Sequence, residues 1–180
     1  MTFSPERYVA ALELAATKHA AQKVPGSELP YLVHVVTVAA ELIASFAAMT
    51  QLDEDLAVQC ALLHDTIEDT GTSRDEIAAK FGDAVAAGVS ALSKDASLPK
   101  PEQMADSLRR IREQPREVWM VKLADRITNL SESPHYWTRD KRIAYRDEAI
   151  VIADALGSAS PALDGRIRGR IADYARFFAG

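Results

Sequence analysis

Residues 61–70 read Ala-Leu-Leu-His-Asp-Thr-Ile-Glu-Asp-Thr, an apolar run followed by one imidazole and three carboxylates. If this stretch is one continuous helix, with about 100° between successive residues, its four polar side chains fall within an arc of roughly 140°. They are His64, Asp65, Glu68 and Asp69. The leucines before them would draw the helix into a core, where unpaired carboxylates repel one another and resist desolvation. A bound cation removes that conflict; the alternative is solvated acids at a helix end beside a hydrogen-bonded His-Asp pair.

A second polar face is predicted further along the chain, where residues 121–130 read Val-Lys-Leu-Ala-Asp-Arg-Ile-Thr-Asn-Leu. Spacings of three and four residues place Lys122, Asp125 and Asn129 on one side of a helix. This face could complete a site with the first one. The alternative is an ordinary amphipathic exterior, in which a contact between Lys122 and Asp125 contributes only about a few tenths of a kcal/mol.

Two imidazoles and two carboxylates from three predicted helices form a candidate metal site. Its ligands would be His34, His64, Asp65 and Asp125. A mixed nitrogen and oxygen set suits manganese, iron, zinc or another divalent transition metal rather than calcium. Four protein ligands on an octahedral ion leave positions for water and for a substrate oxygen, and such an ion lowers the pKa of water and polarises a phosphoryl group. Glu68 and Asp69, one turn beyond the ligands, are candidates for proton transfer or for orienting the water.

The remaining histidines and the tryptophans are predicted to have structural roles. His19 and His135 are left out of the metal site, since neither has a carboxylate partner at helical spacing. Trp119 and Trp137 are predicted to pack in the core rather than to stack on a base. The candidate site therefore draws on two of the four histidines in the chain.

The whole chain favours helices joined by short loops, because alanine and leucine recur at helical spacing and alternating β-branched segments are scarce. Proline, glycine and serine mark the breaks, and Asp53 and Ser73 are predicted N-caps. The predicted helices span about residues 5–23, 30–48, 54–70, 74–81, 83–94, 102–113, 116–131, 138–156 and 161–178. An all-α class follows, with residues 1–180 as a single domain, since 180 residues with 48% hydrophobic content suffice for one core.

Charge and cysteine content limit the classes of protein that fit. The formal net charge of −5 argues against a surface for nucleic-acid polymers or membranes, since such surfaces carry a basic excess. The single cysteine, Cys60, lies in an apolar helical pattern, so no intrachain disulfide is expected and a reducing compartment fits. No segment approaches the roughly 20 apolar residues that span a bilayer, and residues 1–9 lack a signal-peptide pattern. A cytoplasmic protein is therefore predicted.

Four blocks of sequence carry a resemblance to a known family. At residues 19–34, 61–70, 89–94 and 121–130 the chain resembles the HD-type hydrolase domain of the Rel/Spo homologues, and in particular the stand-alone small alarmone hydrolases. The blocks span most of the chain, and the second and fourth are highly specific. The resemblance implies an HD-domain helical bundle of about ten helices. It also implies removal of the 3′-diphosphate from guanosine tetraphosphate (ppGpp) or pentaphosphate.

The resemblance further implies a role for each matching residue. A manganese ion would be bound by His34, His64, Asp65 and Asp125. Glu68 and Asp69 would serve the attacking water, and the amide of Asn129 would contact the nucleotide. The synthetase and regulatory portions of long Rel/Spo proteins find no match in the sequence, so alarmone synthesis is not expected.

The loop at residues 23–31 departs from the family pattern. Where family hydrolases carry an Arg-Lys pair, this chain has Val24 and Pro25, which cannot replace charge-assisted contacts to the base and the phosphates. Lys23 is a candidate substitute. A basic cluster further along is another, although a solvated helix face is the alternative for it. Its members are Arg139, Lys141 and Arg142.

We predict a metal-dependent phosphohydrolase, with Mn²⁺ as the metal and a guanosine 3′-diphosphate alarmone as the substrate. The partner is then a small phosphorylated nucleotide rather than a nucleic-acid polymer or a membrane, and no oligomeric state is predicted. The missing Arg-Lys pair keeps a second hypothesis open, an HD phosphohydrolase for another nucleotide or for an adenine alarmone. A third is a non-catalytic module that binds a nucleotide or a metal, which binding without turnover would favour.

Overall fold

The computed structural model describes residues 3–179. Within this range ten α-helices and three short 3₁₀ segments follow one another. The helices are α1 (Pro5–Lys18), α2 (Leu32–Ala44), α3 (Glu54–Leu63), α4 (Thr66–Thr70), α5 (Arg74–Phe81), α6 (Asp83–Leu92), α7 (Lys100–Arg112), α8 (Arg116–Asn129), α9 (Arg139–Leu156) and α10 (Pro161–Tyr174). The 3₁₀ segments are Phe46–Ala48, Gly157–Ala159 and Ala175–Phe177. The predicted all-α class with about ten helices is confirmed, and the one β pairing in the described range is an isolated bridge between Lys23 and Pro30.

Helices α3 and α8 lie at the centre of the fold. Every side chain of α3 from Leu56 to Leu63 is buried, as in a helix that other elements surround. In α8 the burial runs from Glu117 to Ile127 and excludes only Trp119 within that run. Helices α1, α2 and α6 pack against α3, and α2, α9 and α10 pack against α8. The segments that carry the predicted site residues therefore meet in the core.

Side-chain caps determine where several helices begin. The carboxylate of Asp53 accepts the backbone N–H of Leu56 at 3.0 Å, and the hydroxyl of Ser73 accepts that of Glu76 at 3.1 Å. Both predicted N-caps are confirmed, since each satisfies a donor that the first helical turn leaves unpaired. The helices are short: α9 has 18 residues, and no helix in the described part of the chain is long and apolar enough to cross a membrane.

The predicted continuous helix over residues 54–70 is wrong, because α3 ends at Leu63 and α4 begins at Thr66. Two side chains bond to carbonyl oxygens of the last turn of α3 in place of backbone donors. Nδ1 of His64 lies 2.8 Å from the carbonyl oxygen of Ala61. The hydroxyl of Thr66 donates to the carbonyl oxygen of Leu63 at 2.7 Å. The chain bends between the two helices, so the polar stretch does not occupy a single helix face.

Three predicted helix ends lie four or more residues too far along the chain, and one of them is that of α10, which ends at Tyr174 rather than near residue 178. Helix α1 stops at Lys18 rather than near residue 23, because the chain turns there and the N–H of Tyr31 bonds to the carbonyl oxygen of Gln22 at 2.9 Å. Helix α2 stops before Ser45, whose hydroxyl donates to a carbonyl oxygen of the last turn at 2.6 Å. The early end of α1 brings the segment after it to the site.

Gly88 lets α6 approach the two central helices closely. A Cβ atom at this position would lie 2.7 Å from Sγ of Cys60 and 2.9 Å from Cγ2 of Val118, closer than packed atoms tolerate. We expect Gly88→Ala to destabilise the fold by about 1–3 kcal/mol and to lower Tm by about 2–12 °C. The matched control is Gly165→Ala in α10, where a Cβ meets nothing within 4 Å and helix propensity predicts a gain of about 0.5–1 kcal/mol. Equal Tm values for the two variants would contradict this packing.

Candidate metal centre and catalytic site

Two histidines and an aspartate from different segments meet in the core. Helix α2 carries His34, the bend between α3 and α4 carries His64, and α8 carries Asp125. One ligand atom from each lies within 4.8 Å of the others, and all three residues are buried. Nε2 of His34 lies 3.4 Å from Nε2 of His64 and 3.4 Å from Oδ1 of Asp125. The distance from Nε2 of His64 to Oδ1 of Asp125 is 3.7 Å, so three distant segments contribute to one compact polar cluster.

Asp65 joins this cluster from the bend. Its Oδ2 lies 2.9 Å from Nε2 of His64 and 3.7 Å from Nε2 of His34, and it accepts the hydroxyl of Tyr31 at 2.5 Å. Atoms that share an octahedral ion at about 2.1 Å are roughly 3.0 Å apart when adjacent and roughly 4.2 Å apart when opposite. The separations that join each histidine to the other candidate ligands lie near or within that range. The structure therefore groups His34, His64 and Asp125 within 4.8 Å of one another and places Asp65 beside the two histidines.

The protonation of His64 explains why the cluster favours a cation. Its Nδ1 lies 2.8 Å from the backbone carbonyl oxygen of Ala61, which can only accept, so Nδ1 carries the proton. In the neutral ring Nε2 then directs a lone pair at the carboxylate of Asp65, which is repulsive at 2.9 Å. Burial disfavours the imidazolium, yet Asp65 and Asp125 outweigh burial and raise the pKa of His64 well above its usual value. A second proton or a metal ion relieves the repulsion.

Asp125 is held by polar neighbours on its own helix. The ammonium of Lys122 lies 3.2 Å from its Oδ2, and the amide of Asn129 donates to its Oδ1 at 2.6 Å. Burial opposes ionisation of Asp125, but Lys122 and the two imidazoles outweigh it and hold the pKa well below its usual range. Because Lys122 is only 7% exposed, the alternative of an amphipathic exterior is wrong. Burial likewise opposes ionisation of Asp65, but His64 outweighs it and lowers the pKa of Asp65 to about 2.

Glu68 and Asp69 lie on α4, just after the bend, and each is held by another segment. Oε2 of Glu68 accepts the backbone N–H of Lys94 at 2.7 Å, and the ammonium of Lys94 lies 3.5 Å from Oε1. Oδ2 of Asp69 accepts the side-chain amide of Gln22 at 2.8 Å. Burial, with the carboxylates of Asp65 and Glu68 nearby, raises the pKa of Asp69 despite the bond from Gln22. Both candidate catalytic carboxylates thus follow the cluster directly along the chain.

Three side chains behind the cluster have contacts to it that helical spacing does not predict. Nδ1 of His19 lies 2.6 Å from Oε1 of Gln22, and its ring centroid lies 4.9 Å from that of Tyr31. Tyr31 lies 5.0 Å from the ring of His34 and donates to Asp65. A carboxylate at helical spacing could not identify His19, because its neighbours are the amide of Gln22 and the ring of Tyr31. The one signal in the sequence is that all three residues fall in a block of the family resemblance.

A cavity of about 360 Å³ opens beside the cluster. Its walls include His34, Asn129, Trp137, Tyr145 and the loop at residues 24–27. The loop packs against the opposite wall: a Cβ on Gly26, whose φ is 78°, would lie 3.1 Å from Cα of Pro134, so this position favours glycine. Trp137, predicted to pack in the core, is partly exposed and lines this cavity instead.

None of the basic residues that are candidates for substrate binding, Arg142 included, lines this cavity. The ammonium of Lys23 forms an ion pair with Glu28. Nε of Arg139 donates to a backbone carbonyl oxygen near the carboxy terminus at 3.1 Å. The ammonium of Lys141 lies 4.7 Å from the ring centroid of Trp137. Among all the residues predicted to bind substrate, the structure brings only Asn129 of α8 to the cavity wall.

The fold and the cluster define a class of protein: an all-helical bundle whose core brings histidine and aspartate side chains from separate helices to one candidate metal site. Comparison with known proteins gives the family. Residues 11–152 match the HD domain family. The guanosine-3′,5′-bis(diphosphate) 3′-pyrophosphohydrolase MESH1 of Danio rerio is 30% identical over 162 residues, which cover 87% of this chain and 88% of that protein. The Homo sapiens protein of the same name is 30% identical over 163 residues, 88% of this chain and 89% of that protein.

A solved structure gives the same result. It is described as that of a metazoan SpoT orthologue that hydrolyses ppGpp and plays a role in starvation responses. Its sequence is 28% identical and its TM-score is 0.83, with 96% of this chain and 98% of that chain covered. The chain therefore belongs to the HD domain family, and its resemblance to Rel/Spo-type hydrolases is confirmed. HD domains depend on a metal ion, for which the cluster is a possible site.

Proposed function

We propose that this protein is a metal-dependent phosphohydrolase that removes the 3′-diphosphate from ppGpp or from guanosine pentaphosphate. The observation that carries the proposal is the cluster of two buried imidazoles, the buried Asp125 and the partly exposed Asp65, beside a cavity of about 360 Å³. Relatives that align with most of the chain are named as ppGpp 3′-pyrophosphohydrolases, which supports it. The partner is then a small phosphorylated nucleotide.

The metal proposed for the site is Mn²⁺. Its ligands would be His34, His64, Asp65 and Asp125. Nitrogen and oxygen donors in equal number suit a divalent transition ion, and the repulsion between the lone pair of His64 and the carboxylate of Asp65 is what such an ion would remove. When bound, the ion makes water more acidic and polarises a phosphoryl oxygen. The hydroxyl of Tyr31 orients the Asp65 carboxylate within this set.

The proposed reaction is one hydrolysis step at the phosphorus attached to O3′ of the nucleotide. The oxygen of water forms a bond to this phosphorus, the P–O3′ bond breaks, and its electron pair stays on O3′, which takes up a proton. From ppGpp the products are guanosine 5′-diphosphate and pyrophosphate. We propose that Asp69 accepts the proton of the attacking water and that Glu68 orients this water. Both residues lie on α4, which begins directly after Asp65.

Asn129 is proposed to contact the nucleotide, since its side chain lines the cavity and is held in place by its bond to Asp125. The aromatic rings of Trp137 and Tyr145 offer apolar surface for the base. The predicted substrate contacts of three basic residues would require each to leave its present partner or to reach past the cavity wall. They are Lys23, Arg139 and Lys141.

Product analysis tests this function. Metal-stripped protein is reconstituted with Mn²⁺ and incubated with ppGpp, with guanosine 5′-monophosphate and with adenosine 3′,5′-bis(diphosphate). We expect guanosine 5′-diphosphate and pyrophosphate from ppGpp, and neither product from the Glu68→Ala variant. Turnover of the other nucleotides alone would favour a different HD phosphohydrolase. Binding of all three without turnover would favour a non-catalytic module.

Metal binding is expected to stabilise the fold, because the ion would neutralise carboxylates that burial disfavours. At a free Mn²⁺ concentration of about 100 times Kd, the gain is about 2.7 kcal/mol, a rise in Tm of about 5–11 °C. Differential scanning fluorimetry of metal-stripped protein with and without Mn²⁺ measures it. A His64→Ala variant serves as control and is expected to show a rise of less than about 2 °C. An equal rise in both proteins would place the metal elsewhere.

Gln22 is expected to position Asp69, because its amide donates to that carboxylate while its oxygen faces His19. Removing an orienting partner usually lowers activity about 10–100-fold, and we expect Gln22→Ala to lower kcat by this factor with KM within about twofold of the parent. Steady-state kinetics on ppGpp check it. Gln103→Ala is the matched control, since that amide bonds to a backbone carbonyl oxygen in another part of the fold. A parental kcat for Gln22→Ala would contradict the positioning role.

We also propose that residues 1–180 form a single domain and that the protein resides in the cytoplasm. One large cluster of buried apolar side chains includes residues of every α-helix except α4, which supports the first statement. Cys60 is a buried free thiol in that cluster, as suits a reducing compartment.

A further inference from the structure

The cavity beside the cluster has no lysine or arginine in its lining, among residues 3–179. The one carboxylate in the lining is that of Glu132, which is exposed. Phosphate groups in protein sites are usually held by charge-assisted hydrogen bonds from ammonium or guanidinium groups. The hydroxyl groups of the lining donate only neutral hydrogen bonds, which are weaker. The lining therefore disfavours a second phosphate-bearing end of a ligand.

Basic side chains close to the cavity are engaged with other groups. Lys23 forms its ion pair with Glu28, and both side chains are exposed. Arg142 donates to a serine hydroxyl of the cavity wall at 3.0 Å and to several backbone carbonyl oxygens. Its guanidinium therefore already has hydrogen-bond partners within the protein. Arg126 is buried, pairs with a carboxylate of α9 and lies 4.1 Å from the ring centroid of Tyr145. Arg176 likewise donates to the backbone carbonyl oxygen of Ser131 in the wall at 3.0 Å, so the cations near the cavity have other partners and none belongs to its lining.

Apolar groups form much of the remaining lining. Val24, Pro25, Leu29 and Val33 belong to it, and Leu29 and Val33 are 53% and 43% exposed. A phosphate subsite would instead be lined by cationic side chains and hydrogen-bond donors. Apolar and aromatic walls with a few polar groups are typical of pockets that hold an uncharged, planar part of a ligand.

We propose that this cavity binds the nucleoside end of the substrate and makes no productive contact with its 5′-phosphates, so the substrate class is 3′-diphosphorylated nucleosides whatever their 5′ end. This inference rests on the proposed function, which assigns the 3′-diphosphate to the metal cluster. A 5′-diphosphate brings negative charge to a region that holds Glu132 and no cation, so it adds no binding energy. A nucleoside 3′-diphosphate with a free 5′-hydroxyl is therefore hydrolysed at least as efficiently as ppGpp.

The test compares three guanosine 3′-diphosphates that carry a 5′-hydroxyl, a 5′-monophosphate or a 5′-diphosphate. Values of kcat/KM are measured with the Mn²⁺-loaded protein. A single charge-assisted hydrogen bond would favour the 5′-diphosphate about tenfold or more, so we expect a ratio of ppGpp to the 5′-hydroxyl compound of about one or less. A preference for ppGpp of about tenfold or more would overturn the proposal.

A pair of double variants tests which residues set this preference. Val24→Arg/Pro25→Lys introduces two cations into the cavity lining, and we expect it to raise the ratio of ppGpp to the 5′-hydroxyl compound about tenfold or more. Val9→Arg/Val151→Lys makes the same change in net charge at two exposed positions outside the lining and should leave the ratio unchanged. An equal rise in both variants would show a general charge effect and would contradict the assignment of the cavity.

Equilibrium binding separates this inference from the proposed function. The three compounds are titrated by calorimetry into the Mn²⁺-loaded Glu68→Ala variant, in which no turnover is expected. Kd values that agree within about threefold for the three compounds would support the inference that the cavity binds an uncharged nucleoside. If the parent protein hydrolysed none of these compounds, that result would refute the proposed function but not the inference. A Kd for ppGpp about tenfold or more below that of the 5′-hydroxyl compound would refute the inference and leave the proposed function standing.

Discussion

Replacing Asp65 by asparagine is expected to lower kcat for pyrophosphate release at least about 10³-fold and to weaken Mn²⁺ binding with it. The amide keeps the shape of the carboxylate and can still accept the hydroxyl of Tyr31, so the fold is retained. The change replaces an anionic oxygen by a neutral one in a set that owes its affinity for a cation to two carboxylates. Steady-state kinetics and metal analysis of the same preparation check the result.

Asp75→Asn is the matched control for this variant. The side chain of Asp75 on α5 is 97% exposed and belongs to no part of the cluster, so kcat and metal content should match those of the parent. A circular dichroism melt of both variants separates loss of metal from loss of fold. If Asp65→Asn hydrolysed ppGpp at the parental rate with a full complement of metal, the assignment of Asp65 as a ligand would be wrong.

Asp69→Asn is expected to lower kcat about 10²–10⁴-fold while the metal stays bound, the range associated with loss of a general acid or base. The asparagine oxygen can accept the amide of Gln22 as the carboxylate does, so the geometry of α4 is kept. An amide cannot take up the proton of the attacking water, which is the function proposed for Asp69. Metal content, kcat and KM of the variant are measured together. Loss of the metal would instead make Asp69 a ligand.

A double-mutant cycle makes the role of Asp69 more specific. If Gln22 acts by orienting Asp69, then Gln22→Ala should change kcat by less than about twofold in an Asp69→Asn background. If the decreases in kcat of the two single variants multiplied in the double variant, Gln22 would act on a group other than Asp69. His19, the other hydrogen-bond partner of Gln22, would then be the candidate. The cycle uses only soluble folded variants whose Tm values are checked beforehand.

The four candidate ligands could be predicted from sequence because each lies in a short, specific motif. His64 and Asp65 follow a run of buried leucines, and Asp125 stands in a helix with a lysine and an asparagine at helical spacing. Such local patterns determine which residues are polar within an apolar stripe. The same patterns predicted the all-α class and the caps at Asp53 and Ser73.

The bend between α3 and α4 could not be predicted from helical periodicity. It depends on Nδ1 of His64 and the hydroxyl of Thr66 bonding to carbonyl oxygens of the preceding turn, and a helical pattern alone does not reveal whether a side chain competes with a backbone donor. The burial of Lys122 has a similar origin, because it depends on which helices pack around α8.

The contacts behind and beside the cluster depend on the tertiary fold. Gln22 meets Asp69 from a position 47 residues away, and only the early end of α1 brings it there. Two basic residues predicted to bind substrate contact other groups of the protein: Lys23 forms an ion pair with Glu28, and Arg139 donates to a backbone carbonyl oxygen. A sequence indicates which groups carry charge, whereas the packed structure determines which charges are already paired.

The most direct test of the central claim is a titration of Mn²⁺ into metal-stripped protein in which bound metal and pyrophosphate release from ppGpp are measured in the same samples. We predict no release without metal and an activity that rises in proportion to bound Mn²⁺ until one ion per chain is bound at the His-Asp cluster. Pyrophosphate release at the full rate by the metal-free protein, or saturation with metal without any hydrolysis, would contradict a metal-dependent ppGpp hydrolase.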